Sequence, residues 1–144
     1  MNHERNFARG LIGCLALALV GCAAGPVPVE GKVTMNGKPA AGATVVFIPE
    51  GGGPEAGAQT DEEGNFRLTG TKTEGITPGV YRVTVSKKEW PPGTPPPDPT
   101  KMTFASVLSK RETVPLKFTV QDKTPLRVTV PRGGIKDVHL VLEK

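Results

Sequence analysis

The chain has 144 residues, two cysteines, two histidines and a formal net charge of +4. This length suits one domain with a buried core, and a mild basicity without any Lys/Arg block gives no reason to expect a nucleic-acid partner. With so few cysteines and histidines, clustered zinc sites and His-dependent relays are hard to build within one chain.

The N-terminus has the layout of an export signal. Arg5 and Arg9 precede an apolar run, Leu11–Val20, which a glycine separates from Cys22. A positive leader followed by a short apolar region is typical of a secretory signal peptide. The run is too short to span ~30 Å of hydrocarbon, which needs about 20 residues. The sequence therefore predicts that residues 1–21 are removed.

The residues at the predicted cleavage site, Leu19-Val20-Gly21-Cys22, resemble a bacterial lipobox. The resemblance implies that the Cys22 sulfur takes a diacylglycerol, because a thiolate is a good nucleophile, and that residues 22–28 form a lipidated tether. Several acyl chains on one terminus anchor a protein stably. Cys14 also ends a lipobox-like stretch, but cleavage there leaves almost no apolar run upstream. Ala23 follows Cys22 where Asp would imply inner-membrane retention, so the outer membrane is favoured.

Processing leaves few groups for catalysis. Removal of residues 1–21 leaves 123 of the 144 residues and, with Arg5, Arg9 and Glu4 gone, lowers the net charge from +4 to +3. The mature chain then holds no free thiol, and its single histidine is His139. The sequence therefore predicts no disulfide, no metal, no cofactor and no enzymatic activity.

Short runs of alternating apolar and polar residues fill the mature chain, which is typical of half-buried strands. Asn36-Gly37 after the first run is a strong hairpin signal, and residues 43–48, apolar on both faces, predict a central strand. About seven short strands predict an all-β fold, a single antiparallel β-sandwich over residues 29–144. The predicted strands cover residues 29–35, 43–48, 66–68, 79–86, 114–120, 126–130 and 138–142.

Three motifs carry a family resemblance. They are Gly31-Lys32-Val33 with Gly37-Lys38-Pro39, then Thr60-Asp61-Glu62-Glu63-Gly64-Asn65-Phe66, and then Pro78-Gly79-Val80-Tyr81-Arg82-Val83. In this order they resemble the carboxypeptidase regulatory-like domains, which are transthyretin-like, Ig-like sandwiches. The resemblance covers about residues 29–86 and implies the fold much more than an activity.

Three weaker candidates have simpler structural explanations. The acidic turn at residues 60–65 could hold Ca²⁺ loosely, but a solvated hairpin tip explains its charges equally well. Some related sandwiches carry a Lys–Asn isopeptide bond, for which Lys32 is the candidate by position, yet its place in the alternation predicts exposure. His139 alternates with apolar neighbours and is expected to face solvent. A related hydrolase branch needs several histidines and a Tyr-Arg-Gly-Ser end, which this chain does not have.

A long loop at about residues 87–113 is the segment that the fold explains least. Its Pro-rich start favours a polyproline II conformation, and an exposed tryptophan beside prolines is a common docking element. The alternative is a stiff surface excursion with the tryptophan tucked against the sandwich edge. Residues 102–109 are predicted to form at most a turn or two of helix. The candidate docking residues are Trp90, Pro91, Pro92, Pro95, Pro96 and Pro97.

Together these features predict a non-enzymatic lipoprotein of the cell envelope, held on the membrane by its N-terminal lipid. Its sandwich is expected to bind or scaffold an envelope protein or glycan. Two alternatives stay open: a purely structural component without a specific ligand, and an accessory subunit of an exported peptidase, because the similar domain accompanies a catalytic one in carboxypeptidases. The oligomeric state is not predicted, since edge strands can pair between copies.

Overall fold

The computed structural model describes residues 25–68 and 75–143. The predicted leader and the lipid attachment at Cys22 lie outside these residues. The strands are β1 (Val29–Met35), β2 (Lys38–Pro39), β3 (Thr44–Pro49), β4 (Ala56–Gln59), β5 (Asn65–Arg67), β6 (Gly79–Ser86), β7 (Lys88–Glu89), β8 (Arg111–Glu112), β9 (Arg127–Val130) and β10 (Ile135–Leu142). The helical segments are a 3-10 turn at Pro99–Lys101, α1 (Phe104–Leu108) and α2 (Leu116–Thr119).

Two four-stranded sheets form the sandwich. Sheet I has the order β10-β1-β2, with β5 also paired to β1, and sheet II has the order β4-β3-β6-β9. The predicted all-β sandwich is confirmed, and β3 is central in its sheet as expected. One pairing differs from the antiparallel arrangement, because β10 runs parallel to β1. β10 leaves the turn after β9 beside the start of β1, where the Ile135 N–H donates to the Pro28 carbonyl, so both strands run in the same direction.

The core lies between the inner faces of the two sheets. Phe47 of β3 is at its centre, with no exposed surface, and its ring lies 6.0 Å from those of Phe66 and Tyr81. Because side chains alternate along a strand, every second residue points into this layer. The other strand residues buried there are Val29, Val33, Val45, Ala56, Val83, Val85, Val128, Val130, Val138, Leu140 and Leu142.

The predicted hairpin after β1 is confirmed. Asn36 and Gly37 both have positive φ, 50° and 77°, and Met35 pairs with Lys38 across a two-residue loop. Two central residues with positive φ are the mark of a type I′ turn, whose twist matches that of the flanking strands. This turn therefore sets the register between β1 and β2.

The strand predicted over residues 114–120 is wrong. This segment forms the short helix α2 after Pro115, whose carbonyl accepts from the Phe118 N–H at 2.9 Å. Val114 and Phe118 are buried, while Leu116 between them is 62% exposed. Phe118 is the buried residue of α2, which packs on β6, while Val114 is buried just before the helix begins. The alternation at residues 114–118 is compatible with a strand and also with the helical turn that the structure shows.

The sandwich has two distinct ends, which β6 connects. At the start of β6 lie the turn after β9 and Val27, which exchanges two backbone hydrogen bonds with Ile76; we call this the tether end. At the other end β6 leads into residues 87–113, which we call the insert. Because Val27 and Pro28 are held on the domain, the predicted tether joins the domain at Val27.

Candidate functional site

The insert is closed at its base by backbone pairing and by one carboxylate. β7 and β8 pair antiparallel, and the Glu112 carboxylate accepts hydrogen bonds from the Ser86 hydroxyl and from the N–H groups of Lys87 (2.8 Å) and Val114 (3.0 Å). Partial burial of Glu112 opposes ionisation, but these hydrogen bonds, with one from the Thr113 N–H, outweigh burial and lower the pKa of Glu112. The insert is thus joined to β6 as an ordered unit.

We expect Glu112→Gln to destabilise the protein more at pH 7 than at pH 3. Because the folded-state pKa is lowered from its usual value of 4.5, the ionised carboxylate stabilises the fold above that value, and the contribution is lost as pH falls through the lower folded-state pKa. Urea unfolding of both proteins at the two pH values measures this. Glu62→Gln, which removes an exposed carboxylate outside the insert, is the control. An equal loss at both pH values would contradict the role of the charge.

The predicted docking residues lie along the first half of the insert. Trp90 is half-buried, and the Lys110 ammonium lies 5.1 Å from its ring centroid, within range of a cation–π contact. Trp90 thus holds the two arms of the insert together. Pro91 and Pro97 are half-buried, while Pro92, Pro95 and Pro96 are exposed.

The helix predicted within residues 102–109 is confirmed as α1, whose apolar face the sequence interpretation missed. Phe104, Val107 and Leu108, at positions i, i+3 and i+4, share one face of the helix and are 79%, 46% and 67% exposed. Met102 just before the helix is also exposed. In the part of the chain that the structure describes, this is the largest group of exposed apolar side chains near one another in sequence. The i, i+3, i+4 spacing was the signal that could have revealed it.

Local hydrogen bonds cap both ends of α1. The Thr103 side chain accepts from the Ser106 N–H (3.2 Å), and the Ser106 side chain accepts from the Thr103 N–H (3.0 Å), which forms a capping box. The Ser109 hydroxyl donates to the Ser106 carbonyl at 2.6 Å. These bonds stabilise the helical turn itself, in which no residue is buried.

The acidic and basic side chains of the insert differ in the contacts that they make. Its acids are engaged: Glu89 pairs with Lys87 at 2.7 Å, Asp98 accepts from the Thr100 N–H and hydroxyl, and Glu112 closes the base. Among the described residues, no ion pair involves Lys101. Residues 99–110, which contain α1, include two lysines and no acid. Over residues 87–113 the insert contains four lysines and one arginine against three acids, so it carries a net positive charge.

A second surface feature is an open groove of about 660 Å³ on the outer face of sheet I. It brings together the three weaker candidates, because Lys32 of β1 lies opposite both Asn65 of β5 and His139 of β10 in the strand registers. His139 is exposed as predicted, whereas Lys32 is half-buried rather than exposed. Acidic and basic side chains both line the groove, so no single ligand charge is selected.

One carboxylate of the acidic turn in this groove, that of Asp61, is engaged within the turn itself. The Asp61 carboxylate accepts from the Asn65 side chain (3.1 Å) and from the N–H groups of Asn65 (2.7 Å) and Glu63 (3.0 Å), and these hydrogen bonds lower the pKa of Asp61. The described residues contain no group of three His, Cys, Asp or Glu side chains placed to hold a metal ion. The turn is not the hairpin tip expected from the sequence, because it joins β4 of sheet II to β5 of sheet I, and its hydrogen bonds to Asp61 explain that carboxylate without a metal.

Comparison with known proteins decides the family. The model for the carboxypeptidase regulatory-like domain matches residues 28–142. The chain belongs to this family. The regulatory-like domain is non-catalytic, so the family membership describes a β-sandwich structural or binding module, and the predicted resemblance is confirmed. No curated protein sequence matches the chain.

Among solved structures, this regulatory-like domain is similar to a variant of the major pilin subunit of Bacillus cereus. The two chains are 17% identical with a TM-score of 0.49, and the match covers 82% of this chain and 29% of the pilin. The chain thus spans less than a third of that pilin. Among residues 25–68 and 75–143, no helix is long and apolar enough to cross a membrane.

Proposed function

We propose that this regulatory-like domain is a non-enzymatic lipoprotein of the cell envelope, anchored by lipid at Cys22, that binds through its insert. One observation carries the binding role: an ordered insert presents the apolar side chains of Phe104, Val107 and Leu108 to solvent. Exposed apolar groups of this kind mark interaction sites when they are clustered. A purely structural component without a specific ligand has no need of an exposed apolar face.

The arrangement of the insert supports an evolved surface rather than a loose loop. Its base is closed by Glu112, its arms are joined by Trp90 and Lys110, and α1 is capped by its own side chains. Long loops that are ordered in compact domains are usually functional. In this proposal the predicted docking tryptophan, Trp90, does not bind the partner. Its cation–π contact with Lys110 shapes the insert, and α1 binds the partner.

The lipid anchor is tested by replacing each cysteine of the chain in turn. We expect Cys22→Ser to abolish incorporation of an alkyne fatty acid in cells and to release the protein from washed membranes. Cys14→Ser is the matched control, because its lipobox-like stretch lies inside the segment predicted to be removed, and it should keep both label and membrane association. Label retained by Cys22→Ser would refute attachment at this residue.

The binding role is tested by crosslinking in cells. A photoreactive amino acid at position 108 should form a saturable adduct that Phe104→Ser weakens, whereas the same group at position 141, an exposed apolar site on sheet I, should give background only. Equal adduct yields from both positions would favour a structural component without a specific ligand.

A further inference from the structure

The structure points to the occupant of the apolar face: we propose that α1 inserts into the anionic lipid surface of the membrane that carries the chain, as a second attachment point. This inference rests on the proposed function and names the partner of the insert. The proposed occupant of the apolar face of α1 is the headgroup and upper acyl region of the bilayer.

The size of the apolar face favours lipid. α1 has five residues, and its three outward apolar side chains form a surface much smaller than the ~800 Å² that each partner buries in a standard protein complex. A bilayer needs no matching shape, since each inserted side chain contributes in proportion to its apolar area. A single exposed helical turn bearing Phe, Val and Leu, with Met102 beside it, is sufficient for shallow insertion.

The charge around this face matches anionic headgroups. Lys101 and Lys110 flank α1, and residues 99–110 contain no acid. Of the three acids elsewhere in the insert, Glu89 pairs with Lys87, while Asp98 and Glu112 accept hydrogen bonds from neutral groups and stay negative. The five basic residues of the insert outnumber them. Lysines near an anionic membrane surface add favourably to the burial of apolar side chains.

The positions of tether and insert define the orientation that the proposal requires. They lie at opposite ends of β6, which has eight residues and is therefore about 25 Å long. The five residues from Cys22 to the point where the chain joins the domain can reach at most about 18 Å. A domain standing with β6 along the membrane normal would hold the base of the insert about the length of β6 further from the headgroups than the tether end. Attachment at both ends therefore places the domain on its side, with β6 along the membrane surface.

The experiment uses the full chain as cells process it, reconstituted into vesicles of phosphatidylcholine with or without phosphatidylglycerol. A diazirine-bearing residue at position 108 or at position 141 is activated, and lipid adducts are measured by mass spectrometry. In the anionic vesicles, we expect at least tenfold more lipid adduct from position 108 than from position 141. Phe104→Ser in the same chain should lower this yield about tenfold, and Lys101→Gln about fivefold. Lys136→Gln, which removes a lysine from the groove on sheet I, should change nothing.

Two results would overturn the insertion. One is an equal lipid adduct yield from positions 108 and 141 on vesicle-bound protein. The other is a crosslink from position 108 in cells to protein alone, which would assign the face to a protein partner. Neither result depends on the Cys22→Ser outcome. If the lipid anchor is not at Cys22, the Cys22→Ser variant retains the fatty-acid label. If insertion fails, a correctly anchored chain gives no more lipid adduct from position 108 than from position 141.

Discussion

Replacing Phe47 with alanine is expected to lower the free energy of unfolding by about 3–5 kcal/mol, the usual cost of removing a buried aromatic ring. Phe47 is fully buried between the rings of Phe66 and Tyr81, so its loss leaves a cavity between the two sheets. Domains of this size are stable by about 5–15 kcal/mol, and the mature chain is predicted to have no disulfide to compensate. Urea unfolding followed by circular dichroism measures the change.

Phe104→Ala is the matched control, since it makes the same substitution at a side chain that is 79% exposed. We expect it to change the unfolding free energy by less than about 0.5 kcal/mol. This difference also makes Phe104 variants suitable for the membrane experiments, because lost insertion cannot be attributed to unfolding. A comparable loss of stability from both substitutions would mean that α1 packs against the domain.

Local sequence patterns predict much of the sandwich. The alternation in residues 29–35 and 79–86 has the strict period of two that places every second side chain in the core, and Asn36-Gly37 demands a tight hairpin. Such signals depend only on neighbouring residues. The parallel pairing of β10 with β1 depends instead on which end of the domain the chain reaches after β9, and no local pattern carries that information.

Other elements were hidden because their sequences are ambiguous. β4 consists of Ala56-Gly57-Ala58-Gln59, whose small side chains show little alternation, and it forms because it pairs with the apolar strand β3. The segment at residues 114–120 showed the reverse problem, since its alternation predicted a strand where Pro115 and the burial of Phe118 produce a helical turn. In both cases tertiary packing decided between local alternatives.

The sequence predicts docking through Trp90 and its neighbouring prolines, which stays a prediction, whereas the exposed apolar face of α1 is visible only in the structure. The length and proline content of residues 87–113 marked the insert as functional. The single tryptophan of the chain predicts Trp90 as a docking residue, and in the structure Trp90 is half-buried against Lys110. Whether an apolar side chain in a loop is exposed depends on how the loop closes. Here β7, β8 and Glu112 close the insert so that α1 faces outward.

Gly31→Val is expected to destabilise the protein by about 3 kcal/mol or more, because overpacking against backbone is relieved only by moving strands. A Cβ at this position would lie 2.3 Å from the Val138 carbonyl oxygen and 2.8 Å from the Phe66 ring. Gly31 lies opposite both residues, Val138 in the parallel pair and Phe66 in the antiparallel pair. The substitution must therefore separate β1 from β10 or from β5, and thermal unfolding measures the loss.

Gly57→Ala distinguishes this steric effect from a general response to replacing a strand glycine. The nearest atom to a Cβ at Gly57 is the Val45 carbonyl oxygen at 3.5 Å, an ordinary contact, so we expect no loss and up to about 1 kcal/mol of stabilisation from the reduced freedom of the unfolded chain. A small effect at Gly31 as well would show that β10 can shift along β1. In that case the close approach of the two strands would not hold sheet I together, and the burial of Val138, Leu140 and Leu142 would have to do so alone.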